Sequence, residues 1–395
     1  MTNPASVPRR RIESIDAARG VAMILMALDH VRDFFGAAGV NPTNMATTTA
    51  PLFFTRWITH FCAPTFFLLM GTGAYLSFRS RGEAGLARFL VTRGIWLIVL
   101  DTVITRCLGW QFNFDFRLNL LIILWALGWS MIVLALFVRW PPAVAAVFGL
   151  ILIVGHNLLD GVSPLTFGRA APIWLILHQP GLLLAGPKYF IIVAYPLIPW
   201  VGVTAVGYAL GQVFEWDATA RRRFLLRLGA SLTIGFLALR WLNVYGDPRP
   251  WGVQRSTLFT VLSYLNTTKY PPSLLFLLMT LGPALLFLRA VDAGTPNWLK
   301  PAVVFGTVPL FYFVVHAPLI HLLALVACWY RYGSVHWVFE SSRPDQYPFA
   351  QPPGWPAPLP VIYAIWILVV VSLWPICRWY AALKARRRDW WLSYL

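Results

Sequence analysis

The chain has 395 residues, of which 58% are hydrophobic, 15% aromatic and only 12% charged. Soluble domains carry about 25% charged residues, so this composition cannot cover a water-facing surface, and an ordinary soluble protein, a disordered chain and a disulfide scaffold are excluded. A formal net charge of +17 would suggest nucleic acid in a soluble protein, but here Lys and Arg lie between long apolar runs and read as a topology signal. No nucleic-acid partner is expected.

The class that remains is an all-α polytopic membrane helix bundle, because several separate apolar runs reach about 20 residues. In chain order, hydropathy predicts spans over 15–36, 52–78, 87–108, 119–138, 142–158, 189–214, 223–244, 272–290, 302–330 and 359–381. The first follows Arg9, Arg10 and Arg11 and is too long and too charged for a signal peptide. The apolar stretch 172–186 is short and interrupted by Pro180 and Gly181, so it reads as re-entrant or interfacial. An eleventh span there stays possible.

Ten spans place both termini in the cytoplasm, with basic segments at 1–13 and 382–395. The inner loops then hold most of the Lys and Arg, as the positive-inside rule requires. Eleven spans would move the C-terminal KARRR to the outside. The chain reads as one domain over 1–395, and the longest loops, 159–188, 245–271 and 331–358, are outer ones.

Ionisable groups inside a span are costly and mark function by default. The first span is the richest. Asp16 and Arg19 share its inner end, while Asp29, His30, Arg32 and Asp33 lie nearer the outer end. The i,i+3 and i,i+4 spacings set His30 beside Asp33 and Asp33 beside Asp29, so a carboxylate is expected to orient the imidazole as a general base. At 1.5 Å rise per residue, His30 stands roughly 22 Å above the inner face, His60 roughly 18 Å and His316 roughly 21 Å. Three histidines on three spans therefore share one layer. His321, His156, His178 and His336 read as structural.

Toward the inner side, Gly71 and Gly73 in MGTGAY allow close approach of a helix or a ligand. With Arg19, the following Arg79, Arg81 and Arg93 form a candidate phosphate-binding group. Arg32, Lys269 and Tyr270 are candidate acceptor-binding residues. Cys62, Cys107, Cys328 and Cys377 have no CxxC spacing and read as buried free thiols. There is no HExxH, GxSxG, Walker A or GxGxxG motif, and no metal is expected.

Four segments together resemble the heparan-α-glucosaminide N-acetyltransferase catalytic-domain-like family of membrane acyltransferases: RIESIDAARGVAMILMALDHVRDFF, RWITHFCAPTFFLLMGTGAYL, SYLNTTKYPPSLLFLLMTLG and FGTVPLFYFVVHAPLIH. The likeness is to bacterial members of unknown substrate. It implies a multi-pass enzyme of the bacterial cytoplasmic membrane. Acetyl-CoA or another acyl-CoA would donate from the cytosol to an amine or hydroxyl of a glycan or lipid-linked acceptor outside. In the lysosomal enzyme an Asn of the first span and a His of the next luminal loop are implicated. Here His30 occupies the Asn position and the loop from Gly36 to Pro51 has no His, so His30 or His60 takes that role. His30, Asp29, Asp33, His60 and His316 are then the candidate catalytic residues.

Membrane histidines and carboxylates suit a proton-coupled transporter equally well, and a non-catalytic assembly subunit also stays open. So does a homodimer.

Overall fold

The structure, a computed structural model, describes residues 11–186, 188–341, 343–387 and 389–395. Most of the basic N-terminal segment, including Arg9 and Arg10, lies outside the described residues.

The fold is mostly helical. In chain order the helices are α1 (Glu13–Phe35), α2 (Ala50–Thr59), α3 (Cys62–Val99), α4 (Ile123–Ala135), α5 (Pro142–Gly155), α6 (Ala171–Leu177) and α7 (Leu197–Leu210). They continue with α8 (Ala218–Leu242), α9 (Thr257–Leu265), α10 (Leu274–Asp292), α11 (Lys300–Thr307), α12 (Pro309–Tyr332) and α13 (Leu359–Arg386). Among the described residues, six helices are long and apolar enough to cross a membrane: those at 142–159, 197–215, 218–242, 274–292, 309–332 and 359–386.

Local sequence explains where these elements start and stop. The side chains of Thr49, Asp217, Ser256 and Ser273 cap α2, α8, α9 and α10 by accepting N–H groups of the first turn. Gly82 sits inside α3 at φ 66°, a conformation that only glycine adopts cheaply, and there the chain turns from one helical run into the next. Leu100–Trp110 continues α3 in a widened π-helical form, a geometry that often marks functional sites.

Helix α1 sits in the middle, in contact with α2, α3, α10, α11, α12 and α13. Its charges keep it from reading as an ordinary lipid-facing span, and its burial explains how they are tolerated: Ala17, Ala18, Ala22, Ala27 and Val31 are all inside. Small residues bring the helices together. A Cβ on Gly306 would lie 1.7 Å from the carbonyl oxygen of Asp16, and one on Gly20 would lie 1.8 Å from that of Ala302. The α1–α11 crossing is thus a backbone-to-backbone contact.

The fold departs from the all-α expectation beside α4 and α7. Strands β1 (Leu118–Leu121), β2 (Gly181–Ala185) and β3 (Phe190–Val193) form a small sheet in the order β1-β3-β2. β1 runs parallel to β3, pairing Leu118 with Phe190, and β2 runs antiparallel to it, pairing Gly181 with Val193. The stretch 172–186 is therefore mostly α6 followed by β2, because Pro180 and Gly181 end the helix; it is not one continuous helix. Four predicted spans are also divided: 119–138 and 189–214 begin in β1 and β3 before passing into α4 and α7, and two more are broken between helices. A turn at His60 and Phe61 separates α2 from α3, and Val308 separates α11 from α12.

Candidate active site

The last turns of α1 carry Asp29, His30, Arg32 and Asp33 into the centre of the bundle. α12 brings His316 against them, with its side chain fully buried. His30 Nδ1 and His316 Nε2 are 2.5 Å apart. The other nitrogen of His316, Nδ1, faces the carbonyl oxygens of Phe313 at 2.6 Å and Tyr312 at 3.2 Å. A carbonyl can only accept, so Nδ1 of His316 carries the hydrogen, and in the neutral ring Nε2 is then the acceptor. His30 must then donate from Nδ1, which leaves the lone pair on its Nε2. Trp110, at the end of the π-helical turn, meets the His30 ring edge-on with centroids 4.7 Å apart. His30 itself stays half-buried, whereas His316 is enclosed.

The carboxylates of α1 do something other than the spacing suggested. Asp33 accepts from Arg32 Nη2 at 2.8 Å, and the same guanidinium lies 2.9 Å from Asp29. Asp29 also pairs with Arg56 of α2. Neither carboxylate takes the His30 ring, because full positive charges within reach outcompete a neutral imidazole. The partner that orients His30 is His316.

Around this pair lies a ring of groups from other elements. His60, at the end of α2, is buried with its Nδ1 unpartnered, and it packs on Phe276 of α10. Its charged neighbours are Arg56, Lys269, Asp29 and Arg32. Lys269, just ahead of α10, is buried, lies over the Tyr270 ring at 5.2 Å, and is an electrostatic neighbour of both His30 and His60. Tyr270 reaches Arg56 at 3.5 Å and hydrogen-bonds Tyr195. The structure thus gathers Asp29, His30, Arg32, Asp33, His60, Lys269, Tyr270 and His316 in one region. Arg56, Trp110 and Tyr195 join them. Arg56, an arginine four residues before His60 within an apolar helix, carried a signal of its own; an isolated Trp or Tyr in an aromatic-rich chain did not.

A cavity of about 310 Å³ opens beside the cluster. Arg32 and Asp33, one turn beyond His30, form part of its wall. The rest comes from the loop after α1, the start of α2, Tyr347 and the start of α13. Its size is within the range of small-ligand sites.

The candidates near the other end of α1 do not form one group. Gly71 is a helix contact: a Cβ there would lie 2.1 Å from the Thr204 carbonyl oxygen of α7, so no ligand fits against it. Arg19 donates to the Leu69 carbonyl at 2.7 Å and fills the space beside Gly73. Arg79 is exposed and pairs with Glu215 at 3.0 Å. Arg81 stacks on Phe89, while Arg93 lies over Tyr394. Arg81 and Arg93 are electrostatic neighbours, which leaves these two as the compact basic pair.

His321 is structural. Its ring nitrogens sit 2.9 and 2.8 Å from the carbonyl oxygens of Gly109 and Val338. All four cysteines are free and buried.

A family model described as Heparan-alpha-glucosaminide N-acetyltransferase, catalytic, matches residues 11–245. That stretch contains Asp29, His30, Arg32, Asp33, Arg56 and His60. Lys269, Tyr270 and His316 come from the chain beyond it. No curated protein matches the chain.

Proposed function

The chain belongs to the heparan-alpha-glucosaminide N-acetyltransferase catalytic family, and from that premise we propose that it is an acyl-CoA-dependent transmembrane acyltransferase. In this reading ten spans cross a bacterial cytoplasmic membrane, with α2 and the first run of α3 acting as one span and α11 with α12 as another. The end of the bundle where α1 begins faces the cytosol. Support comes from the basic residues gathered there, among them Arg79, Arg81 and the Arg221 and Arg222 that grip Asp292 at 3.0 and 3.2 Å. Arg81 and Arg93 would meet the phosphates of the donor, and its pantetheine arm would carry the thioester toward His30.

The observation that carries the reading is the His30–His316 pair. A ring whose Nδ1 hydrogen is held by a neighbour presents a basic Nε2 to whatever enters beside it. As an acceptor amine or hydroxyl attacks the thioester carbonyl, His30 Nε2 removes its proton. The tetrahedral intermediate collapses by breaking the C–S bond, and the departing CoA thiolate takes that proton back. His316 stabilises the imidazolium formed in between. Lys269 and His60, which lie in the same region, would stabilise the oxyanion. The 310 Å³ cavity would admit the acceptor, a glycan or lipid-linked group, from the outer side, with Arg32 and Asp33 as polar contacts.

The test uses the full chain in membrane vesicles, supplied with acetyl-CoA labelled in the acetyl group. Label passing to a glycan or lipid fraction, with stoichiometric release of CoA thiol and with both lost in His30→Ala, supports the reading. Full transfer by well-folded His30→Ala overturns the role of His30. Absence of any CoA-dependent transfer or CoA binding overturns the enzyme.

A further inference from the structure

The notable cluster outside the active site lies where α5 ends. His156 closes that helix, Asp160 follows four residues later, and His178 closes α6. One donor atom from each of the three lies within 4.8 Å of the others. Both histidines are buried, at 2% and 0% exposure; the backbone of Pro272 lies by His156 and that of Leu159 by His178, yet none of the four ring nitrogens makes a well-formed hydrogen bond. Buried polar atoms are nearly always satisfied. Two adjacent buried imidazoles without a well-formed hydrogen bond, beside a carboxylate, therefore have donor atoms to spare for a further ligand.

We propose that His156, Asp160 and His178 form a binding site for a divalent transition metal, with zinc the best fit. Two imidazoles and one carboxylate match the borderline-soft preference of zinc, while magnesium and calcium favour all-oxygen shells. At zinc bond lengths of about 2.0–2.2 Å, neighbouring ligand atoms of a tetrahedron stand about 3.4 Å apart. His178 Nε2 and Asp160 Oδ1 are 3.5 Å apart already. The rings meet edge to face, with centroids 5.7 Å apart, so small ring rotations bring the third donor in.

The surroundings supply the supporting shell that such ligands need. Asn157 Nδ2 donates to Asp160 Oδ2 at 2.7 Å and leaves Oδ1 of the carboxylate for the metal. The same amide's oxygen accepts the Leu274 N–H at 2.8 Å. Trp174 packs edge-on against His178 at 5.1 Å. Through Asn157 the metal would fasten the segment between α5 and α6 to the first turn of α10, whose preceding residues are Lys269 and Tyr270. Its role is thus structural and outside the transfer chemistry. His156 and Asp160 are four apart, but His178 lies 18 residues further on, and the set matches no HExxH-type motif, which is why no metal was expected.

The experiment uses full-length protein purified in detergent through a tag without histidine, stripped with chelator, then titrated with zinc. Expected are one zinc per chain by elemental analysis, a rise in melting temperature, and four-coordinate absorption bands when cobalt(II) replaces zinc. His178→Ala and His156→Ala should each reduce affinity at least tenfold and remove the thermal shift. His336→Ala, in an exposed loop, should leave both unchanged. If a variant does not fold, the cobalt spectrum of the wild type decides, since bands of six-coordinate cobalt only overturn the site. So does a stoichiometry below a tenth, or metal retained in His178→Ala and lost in His30→Ala. None of these readouts depends on acyl transfer.

Discussion

His30 and His316, 286 positions apart in the chain, share a hydrogen bond of 2.5 Å, and with both rings neutral one assignment of protons satisfies it. Because Phe313 and Tyr312 offer carbonyls to His316 Nδ1, the order of donors runs from His30 to His316 to the α12 backbone. His30→Ala removes the base and should lower kcat by about 10²–10⁴-fold. His316 positions that base. His316→Ala should lower kcat at least tenfold with little change in KM for acyl-CoA, and His316→Gln, whose amide oxygen still accepts, should recover part of the loss. Single-turnover kinetics with labelled acetyl-CoA check both. A rise in KM alone would assign His316 to substrate binding.

Asp29 is held by two guanidiniums from different helices, Arg32 at 2.9 Å and Arg56 of α2. Removing one partner of a buried ion pair leaves an uncompensated charge and costs about 3–5 kcal/mol. Asp29→Asn should therefore lower the melting temperature sharply. Arg56→Met should also do so, and the double variant should melt above the sum of the two losses. Fluorescence-detected size-exclusion melting gives the comparison. Strict additivity would mean that the pair carries no coupling.

Gly306 marks where α11 crosses α1, with the Asp16 carbonyl oxygen 1.7 Å from any added Cβ. The obstacle is backbone on both sides, so neither helix can yield by turning a side chain. Gly306→Ala should push the helices apart and destabilise the fold by several kcal/mol, as overpacking in a tight core does. Gly235→Ala, on α8 with nothing near its Cβ, is the control and should be neutral or slightly stabilising. Equal melting temperatures for the two would refute the close crossing.

Asp115 ties the loop after the π-helical turn. Burial pushes its carboxyl pKa up, but hydrogen bonds from Ser341, the Arg117 N–H and Arg106 pull harder, and it settles below the ordinary carboxylate value. A depressed folded pKa contributes stability that is complete above the unfolded value of about 3.9 and is lost as pH falls through the folded value. Amide protection over residues 111–119, corrected for intrinsic exchange, should be flat from pH 7 to 5 and fall only below about 4. Asp115→Asn should show low protection throughout and no acid step.

The helical class was legible because long apolar runs report directly on bilayer physics. The histidine layer was legible for the same reason: rise per residue converts sequence position to depth, and His30 and His316 do meet. What could not be read was partner choice. The i,i+3 spacing puts Asp33 beside His30, yet Asp33 is taken by its own neighbour Arg32, and Asp29 by Arg32 and by Arg56 of a helix arriving from elsewhere. Gly71 admitted either a helix or a ligand in sequence, with a helix favoured, and the position of α7 decides for the helix. The β1–β3–β2 sheet escaped because its strands are four or five residues long and lie within or beside apolar runs.

Leu52 lines the same cavity as Arg32, Asp33, Thr49 and Ile362. It is only partly buried, so a larger side chain there grows into open space instead of into packed atoms. Leu52→Trp should therefore leave the melting temperature close to that of the wild type while taking up part of the 310 Å³. If the acceptor enters here, acceptor kcat/KM should fall about tenfold or more, a loss of at least about 1.4 kcal/mol in transition-state binding. Donor affinity, measured by thermal shift with CoA, should not move, because the donor is proposed to arrive from the opposite end of α1. A variant that loses CoA binding and retains acceptor KM would reverse the assignment of the two ends.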